Sequence, residues 1–262
     1  MAVLEICVDS VESAIAAEQG GAQRIELCSS LIEGGLTPSL GLIRVVRSRL
    51  SIGVHVMIRP RGGDFLYSND EFSIMKDDIA LAAQSGADGV VLGILTAQGD
   101  VDIPRTRELV ELARPMEVTF HRAIDHTRDY VSALQDLIQA GVARVLTSGA
   151  EPSAVQGRHN IRNLVNAAAG AITIMAGAGV RANNVAQIIR ETGVRDVHAS
   201  LRRAVPSPMK HHRRKVHLGA SGVEEEVRHA TLPEDVRALR DAILCATHQL
   251  APVEQPEATS AR

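Results

Sequence analysis

With 262 residues, 45% of them hydrophobic, and a formal charge of −3, the chain can bury a sizeable core and matches one large domain or two small ones. No apolar run reaches the ~20 residues of a membrane span, so no membrane partner is expected, and the near-neutral charge gives no general basis for binding nucleic acid. The opening MAVLEICVDS meets a carboxylate at Glu5 without a basic stretch or cleavage pattern, which argues against a signal peptide. Three cysteines argue against a disulfide scaffold and for a reducing, cytoplasmic setting.

In chain order, eight short apolar runs predict strands: LEICVDS (4–10), RIELCSS (24–30), GVHVMIRP (53–60), GVVLGIL (89–95), EVTFHRA (117–123), RVLTSG (144–149), ITIMAGAG (172–179) and DVHAS (196–200). Between them lie stretches with apolar residues at helical spacing, several ending in glycine, and a last helix is predicted over 234–247. Strict alternation of strand and helix implies right-handed crossovers and a parallel sheet. Eight such units in about 250 residues suit a closed TIM barrel, (β/α)8, as a single α/β domain over 1–248, with an open doubly wound sheet as the alternative. Residues 249–262, rich in Pro and Glu, read as a disordered tail.

An internal echo supports the barrel. GAQRI (21–25), GADGV (86–90), GVARV (141–145) and GVRDV (193–197) precede strands 2, 4, 6 and 8, a period of two βα units.

Alternate strand residues face the helices or the barrel interior. The apolar set, including Leu4, Ile6, Val8, Ile25, Leu27, Val54, Val56, Ile58, Val118 and Phe120, must face the helices. The opposite set then points inward: Glu5, Cys7 and Asp9, Glu26, Cys28 and Ser30, His55, Met57 and Arg59, Thr119 and His121, Met175, Gly177 and Gly179, His198 and Ser200. Barrel interiors are ordinarily filled by Val, Ile and Leu, and buried carboxylates and imidazoles are costly unless paired. Glu5 beside His198 and Glu26 beside His55 would be suitable pairs. A polar network that merely fixes the fold is the bland alternative.

The motifs LEICVDS, RIELCSSLIEGGLTPS, IRPRGGDFLYS, TFHRAID, RVLTSG, IMAGAGVR and SPM occur in order and together resemble the CutC copper homeostasis family, over about residues 3–247. The resemblance implies a TIM barrel, a cytoplasmic location, assembly into a homo-oligomer and a role in copper tolerance. It also links the cysteines of the first two strand motifs, here Cys7 and Cys28, to copper.

The residues are compatible with that implication. Inward thiols on strands about 4.8 Å apart could share one soft ion, and thiolates favour Cu(I) or zinc. His121, Met57 or His198 could supply a third ligand, although two suffice for a linear Cu(I) site. Cys245, in the last helix, reads as packing. A second constellation suits a small anionic ligand. Arg59 and Arg61 leave strand 3, Gly177 and Gly179 free the backbone after strand 7, and Ser200 closes strand 8, where barrels often hold phosphate. Arg202 or Arg203 could add charge.

Two functions therefore compete. One is a cytoplasmic copper-binding protein holding Cu(I) through Cys7 and Cys28. The other is an enzyme acting on a small anionic or phosphorylated substrate, with Glu5 or Glu26 as base, His121 or His55 as acid and Arg59 as anion clamp. Schiff-base chemistry is disfavoured, because no inward strand position is lysine. The basic run 202–219 lacks interleaved aromatics and reads as a solvated loop rather than a nucleic-acid surface.

Overall fold

The computed structural model describes residues 2–211 and 227–248. The apolar runs form β1 (Val3–Val8), β2 (Arg24–Leu27), β3 (Gly53–Met57), β4 (Gly89–Leu92), β5 (Glu117–Phe120), β6 (Arg144–Thr147), β7 (Thr173–Ala176) and β8 (Asp196–Ala199). All eight are parallel and close into a barrel, with β8 hydrogen-bonded to β1. That pairing excludes the open sheet. The helices between them are α1 (Val11–Gly20), α2 (Leu40–Arg47), α3 (Asn69–Gln84), α4 (Ile103–Ala113), α5 (Tyr130–Ala140), α6 (Arg158–Ala168) and α7 (Val185–Thr192). A final α8 (Pro233–His248) packs between α7 and α1 and completes the outer ring.

Local sequence explains the boundaries. Ser10 caps α1, its hydroxyl accepting from the Ser13 N–H at 3.2 Å, and Gly21 ends the helix at φ +92°, where a side chain would be strained. Ser68 and Glu71 form a reciprocal capping box at the start of α3. Every strand stops short of its predicted end. Cys28, Arg59, His121, Gly177 and Ser200 therefore lie just past the ladder, at the mouths of the βα loops, rather than within it.

The inward and outward phases agree with the alternation. The predicted helix-facing residues all belong to the main core between barrel and helices. Cys7, Cys28, Met57 and Val91 form a separate small cluster inside the barrel. Two expectations need correction. Part of the basic run predicted as a loop forms β9 (Arg203–Pro206), which pairs antiparallel with β10 (Val227–Ala230). Backbone pairing there satisfies peptide groups that a loop would leave to water. Cys245, expected to pack, is exposed on α8. The predicted tail 249–262 and residues 212–219 of the basic run lie outside the described residues.

Candidate metal centre and cavity

Strands β1, β2 and β8 are neighbours in the ring, and their register places Glu5 opposite His198 and Cys7 opposite Glu26. Cys28 follows β2, anchored by its N–H donating to the Val8 carbonyl at 2.9 Å. The result is a buried group of four. Cys7 Sγ lies 3.8 Å from Cys28 Sγ, Cys28 Sγ 3.4 Å from Glu26 Oε2, and His198 Nε2 3.9 Å from Glu26 Oε2. One ligand atom each from Cys7, Glu26 and His198 falls within 4.8 Å of the others. Both cysteines are free thiols. Gly35, at φ +94°, makes this possible, because a Cβ there would sit 3.0 Å from Cys28 Sγ.

The cluster is oriented from beneath. Glu5, with no solvent exposure, accepts a hydrogen bond from His198 Nδ1 at 2.7 Å, which turns Nε2 toward Cys7 and Glu26. A carboxylate behind a histidine in this way fixes the ring and raises its basicity as a ligand. Arg24 pairs with Glu5 and reaches Asp196 at 3.2 Å; Arg144 binds Asp196 at 2.9 Å and Glu117 at 3.1 Å. This ion network fills the lower barrel, where apolar packing is usual, and none of Arg24, Arg144 and Asp196 was singled out from sequence. The alternation that marks positions 26 and 28, and 198 and 200, also reaches 24 and 196 and was the available signal.

Burial raises the Glu5 carboxyl, but the His198 hydrogen bond and the Arg24 charge outweigh it and hold the group well below the usual carboxylate range. Burial opposes charge on His198, yet the carboxylate of Glu26, the Cys7 hydrogen bond and Glu5 together push its proton affinity well above the ordinary imidazole value. Glu26 is raised, chiefly by burial. Cys7 is raised by its contact with Cys28 and by burial, and burial pushes Cys28 up to about 12. Both thiols therefore stay protonated until a cation displaces the protons, as a coordinated metal does.

Above the cluster, at the C-terminal ends of the strands, opens a cavity of about 810 Å³. Cys7, Glu26, Arg59, His121, His198 and Ser200 all line it. Glu5, Cys28, His55, Arg61, Gly177 and Gly179 do not. The structure thus brings Cys7, Cys28, Glu5, Glu26 and His198 together, with Glu5 beside His198 as the alternation suggests, while several other expected placements differ.

Glu26 does not pair with His55, although the two are register partners. The His55 ring instead lies over Gly89, where a Cβ would come within 2.6 Å of it, so the imidazole occupies the space that a missing side chain on β4 leaves. Arg61 turns away to Glu71 at 2.6 Å and Asp64 at 3.0 Å. Gly177 makes room for Leu146 rather than for a ligand, since its Cβ would meet Leu146 Cδ1 at 2.5 Å. Gly179 lies in the turn before α7, where its carbonyl accepts from Asn184 at 2.9 Å. Arg59 is buried and inward as expected, but its terminal nitrogens donate to the carbonyls of Glu33, Gly35 and Gly63 at 2.7, 3.1 and 2.9 Å. It ties the loops after β2 and β3 together.

Residues 2–203 match the sequence pattern of the CutC family. A CutC family protein of Chromobacterium violaceum is 52% identical over 241 residues, covering 92% of this chain and 98% of its own length. The copper homeostasis protein cutC homolog of Mus musculus is 49% identical over 224 residues, 86% of this chain and 82% of that protein. The crystal structure of CutC from Streptococcus agalactiae superposes with a TM-score of 0.73 at 35% identity, covering 76% of this chain and 98% of that one.

Proposed function

Because the chain belongs to the CutC family, we propose that it takes part in copper homeostasis by holding Cu(I) between the sulfurs of Cys7 and Cys28, with His198 Nε2 and Glu26 beside them. The observation that carries this reading is the convergence of two thiols, one imidazole and one carboxylate in a buried place at the barrel mouth. The donor set fits a soft ion: sulfur and imidazole are what Cu(I) prefers over oxygen. Glu26 Oε1, buried without a hydrogen-bond partner among the described residues, is a further donor awaiting a cation. With bonds like the zinc–sulfur length of about 2.3 Å, a linear two-thiolate site would need sulfurs about 4.6 Å apart. The observed 3.8 Å is shorter and suits an ion that also takes a third donor. His198, already oriented by Glu5, is that donor, in preference to Met57 or His121. A reducing, cytoplasmic setting accords with two free thiols this close together.

The ion is cargo, and the protein's part is to supply ligands and release their protons. Both thiol protons and the Nε2 proton of His198 must leave on binding, so copper uptake weakens as pH falls. Anaerobic titration of Cu(I) against a chromophoric chelator tests the reading. The full chain should bind one ion, and Cys7→Ser, Cys28→Ser and His198→Asn should each weaken it by about tenfold or more. Unchanged affinity in both cysteine variants ends it.

The second reading, an enzyme on a small anionic substrate, is favoured by the cavity volume, which far exceeds one ion. Of its four assigned residues, Glu5 is sealed between Arg24 and His198 and His55 does not line the cavity. Acid–base work would fall to Glu26 and His121.

A further inference from the structure

A cavity of about 810 Å³ is the size that encloses a metabolite rather than an ion. Its wall carries two features that the copper reading does not use. His121 follows β5, four strands from β1 and so on the far side of the ring. The His121 ring accepts the Ala123 N–H at Nδ1, at 3.1 Å, so its own proton sits on Nε2. That Nε2–H is buried and has no acceptor among the described residues. Gly93 makes room for the ring, since a Cβ there would lie 2.4 Å from His121 Cε1.

Arg59 is the second feature. The residue as a whole is 6% exposed, and among the described residues no carboxylate lies within ion-pair distance of its guanidinium. Its terminal nitrogens meet neutral carbonyls, the neutral Tyr67 hydroxyl lies beside the guanidinium, and Nε–H has no acceptor in hydrogen-bond geometry among the described residues. A buried cation without a counter-charge is costly unless something supplies one. Phe65 lies against both donors, 5.1 Å from the Arg59 guanidinium carbon and 5.0 Å from the His121 ring, and holds them at one side of the cavity. The nearby acids are otherwise engaged: Asp64 with Arg61 at 3.0 Å, Glu33 with the Ser30 hydroxyl at 3.1 Å. Arg202, on the rim, adds another Nε–H without an acceptor while its end reaches Asp9 at 3.2 Å. Leu31, Met57, Phe65, Leu95 and Leu146 make the rest of the lining apolar.

We propose that this cavity binds a small organic oxyanion with an apolar body, its carboxylate or phosphate oxygens accepting from Arg59 Nε–H and His121 Nε2–H while the body lies against Phe65 and the leucines. Unmet donors and a bare cation call for acceptor oxygens with negative charge, and the lining calls for carbon behind them. The site shares the cavity with the thiol cluster but none of its ligands, so the two readings stand or fall separately.

Calorimetry on the full chain with benzoate and phenyl phosphate, against benzyl alcohol as the neutral control, tests it. At least one of the two anions should bind saturably at one per chain and about tenfold or more tighter than the alcohol. His121→Phe keeps the ring's shape and removes the donor; it should weaken the anion about tenfold and leave Cu(I) affinity unchanged. Ala97→Trp, on the exposed rim, should block the anion without touching the core. Cys28→Ser, outside the cavity lining, should leave anion binding intact. Absence of saturable binding of both anions, equal binding of the alcohol, or undiminished anion affinity in both His121→Phe and Ala97→Trp would overturn the proposal. Loss of the anion in Cys28→Ser would also overturn it, because the ligand would then depend on the thiol cluster.

Discussion

Replacing His121 by Asn should make the protein less sensitive to acid. His121 and His55 are each at most 5% exposed, and burial holds them neutral, lowering their proton affinities from 6.5 to about 3 and about 4. In the unfolded chain both titrate near the ordinary value. The stability they contribute is therefore full above pH 6.5 and is lost as pH falls from there toward the folded values. At pH 5.0 an unfolded histidine gains about 2 kcal/mol by protonation that its folded counterpart does not, so the two together remove about 4 kcal/mol between pH 7.5 and 5.0. Asn at position 121 can present its side-chain oxygen where Nδ1 now accepts the Ala123 N–H, keeping the local turn while removing the titration. Urea unfolding of wild type and variant at the two pH values gives the comparison. The carboxylates that also weaken in acid are common to both proteins and cancel in the difference. The variant should lose about 2 kcal/mol less than wild type over this range. Equal losses would mean that His121 is not held neutral by burial.

Gly93→Ala should destabilise the fold by about 1–3 kcal/mol in the same assay, since its Cβ would fall 2.4 Å from the His121 ring; an unchanged midpoint would show that the ring has room to move. Glu5→Gln leaves His198 and Arg24 short of a buried charge and should cost about 3 kcal/mol, toward the low end for a broken buried pair because Arg24 keeps Asp196. A loss below about 1 kcal/mol would place it in the range of exposed pairs and contradict a structural role for the network.

The barrel is legible because most strands carry an apolar face: Leu4, Ile6 and Val8 mark the side of β1 that meets helices, and so expose Glu5 and Cys7 as interior. Glu5 with His198 could be read because these register partners also bond. Glu26 with His55 could not, because side chains lean toward space, and the space beside His55 is set by Gly89 on the next strand. Arg24, Arg144 and Asp196 stand at strand starts, where a charge looks solvated. Their mutual burial depends on closure, which no local pattern encodes. Arg59 was read as inward, but the carbonyls that occupy its terminal nitrogens come from loops whose paths depend on the folded barrel.

The bond between Glu5 and His198 spans 193 positions of the chain, and that between Arg24 and Asp196 spans 172. A ribosome adding about 5–20 residues each second delivers the partners of these charges roughly 10–40 s after the first strand emerges. Until then Glu5 and Arg24 have only each other, and a nascent unit of β1, α1 and the parallel β2 cannot bury them fully. The chain's own ordering thus leaves these early charges without their later partners during synthesis. The thiols on those same segments, Cys7 and Cys28, spend that interval open to whatever ions and oxidants surround the growing polypeptide.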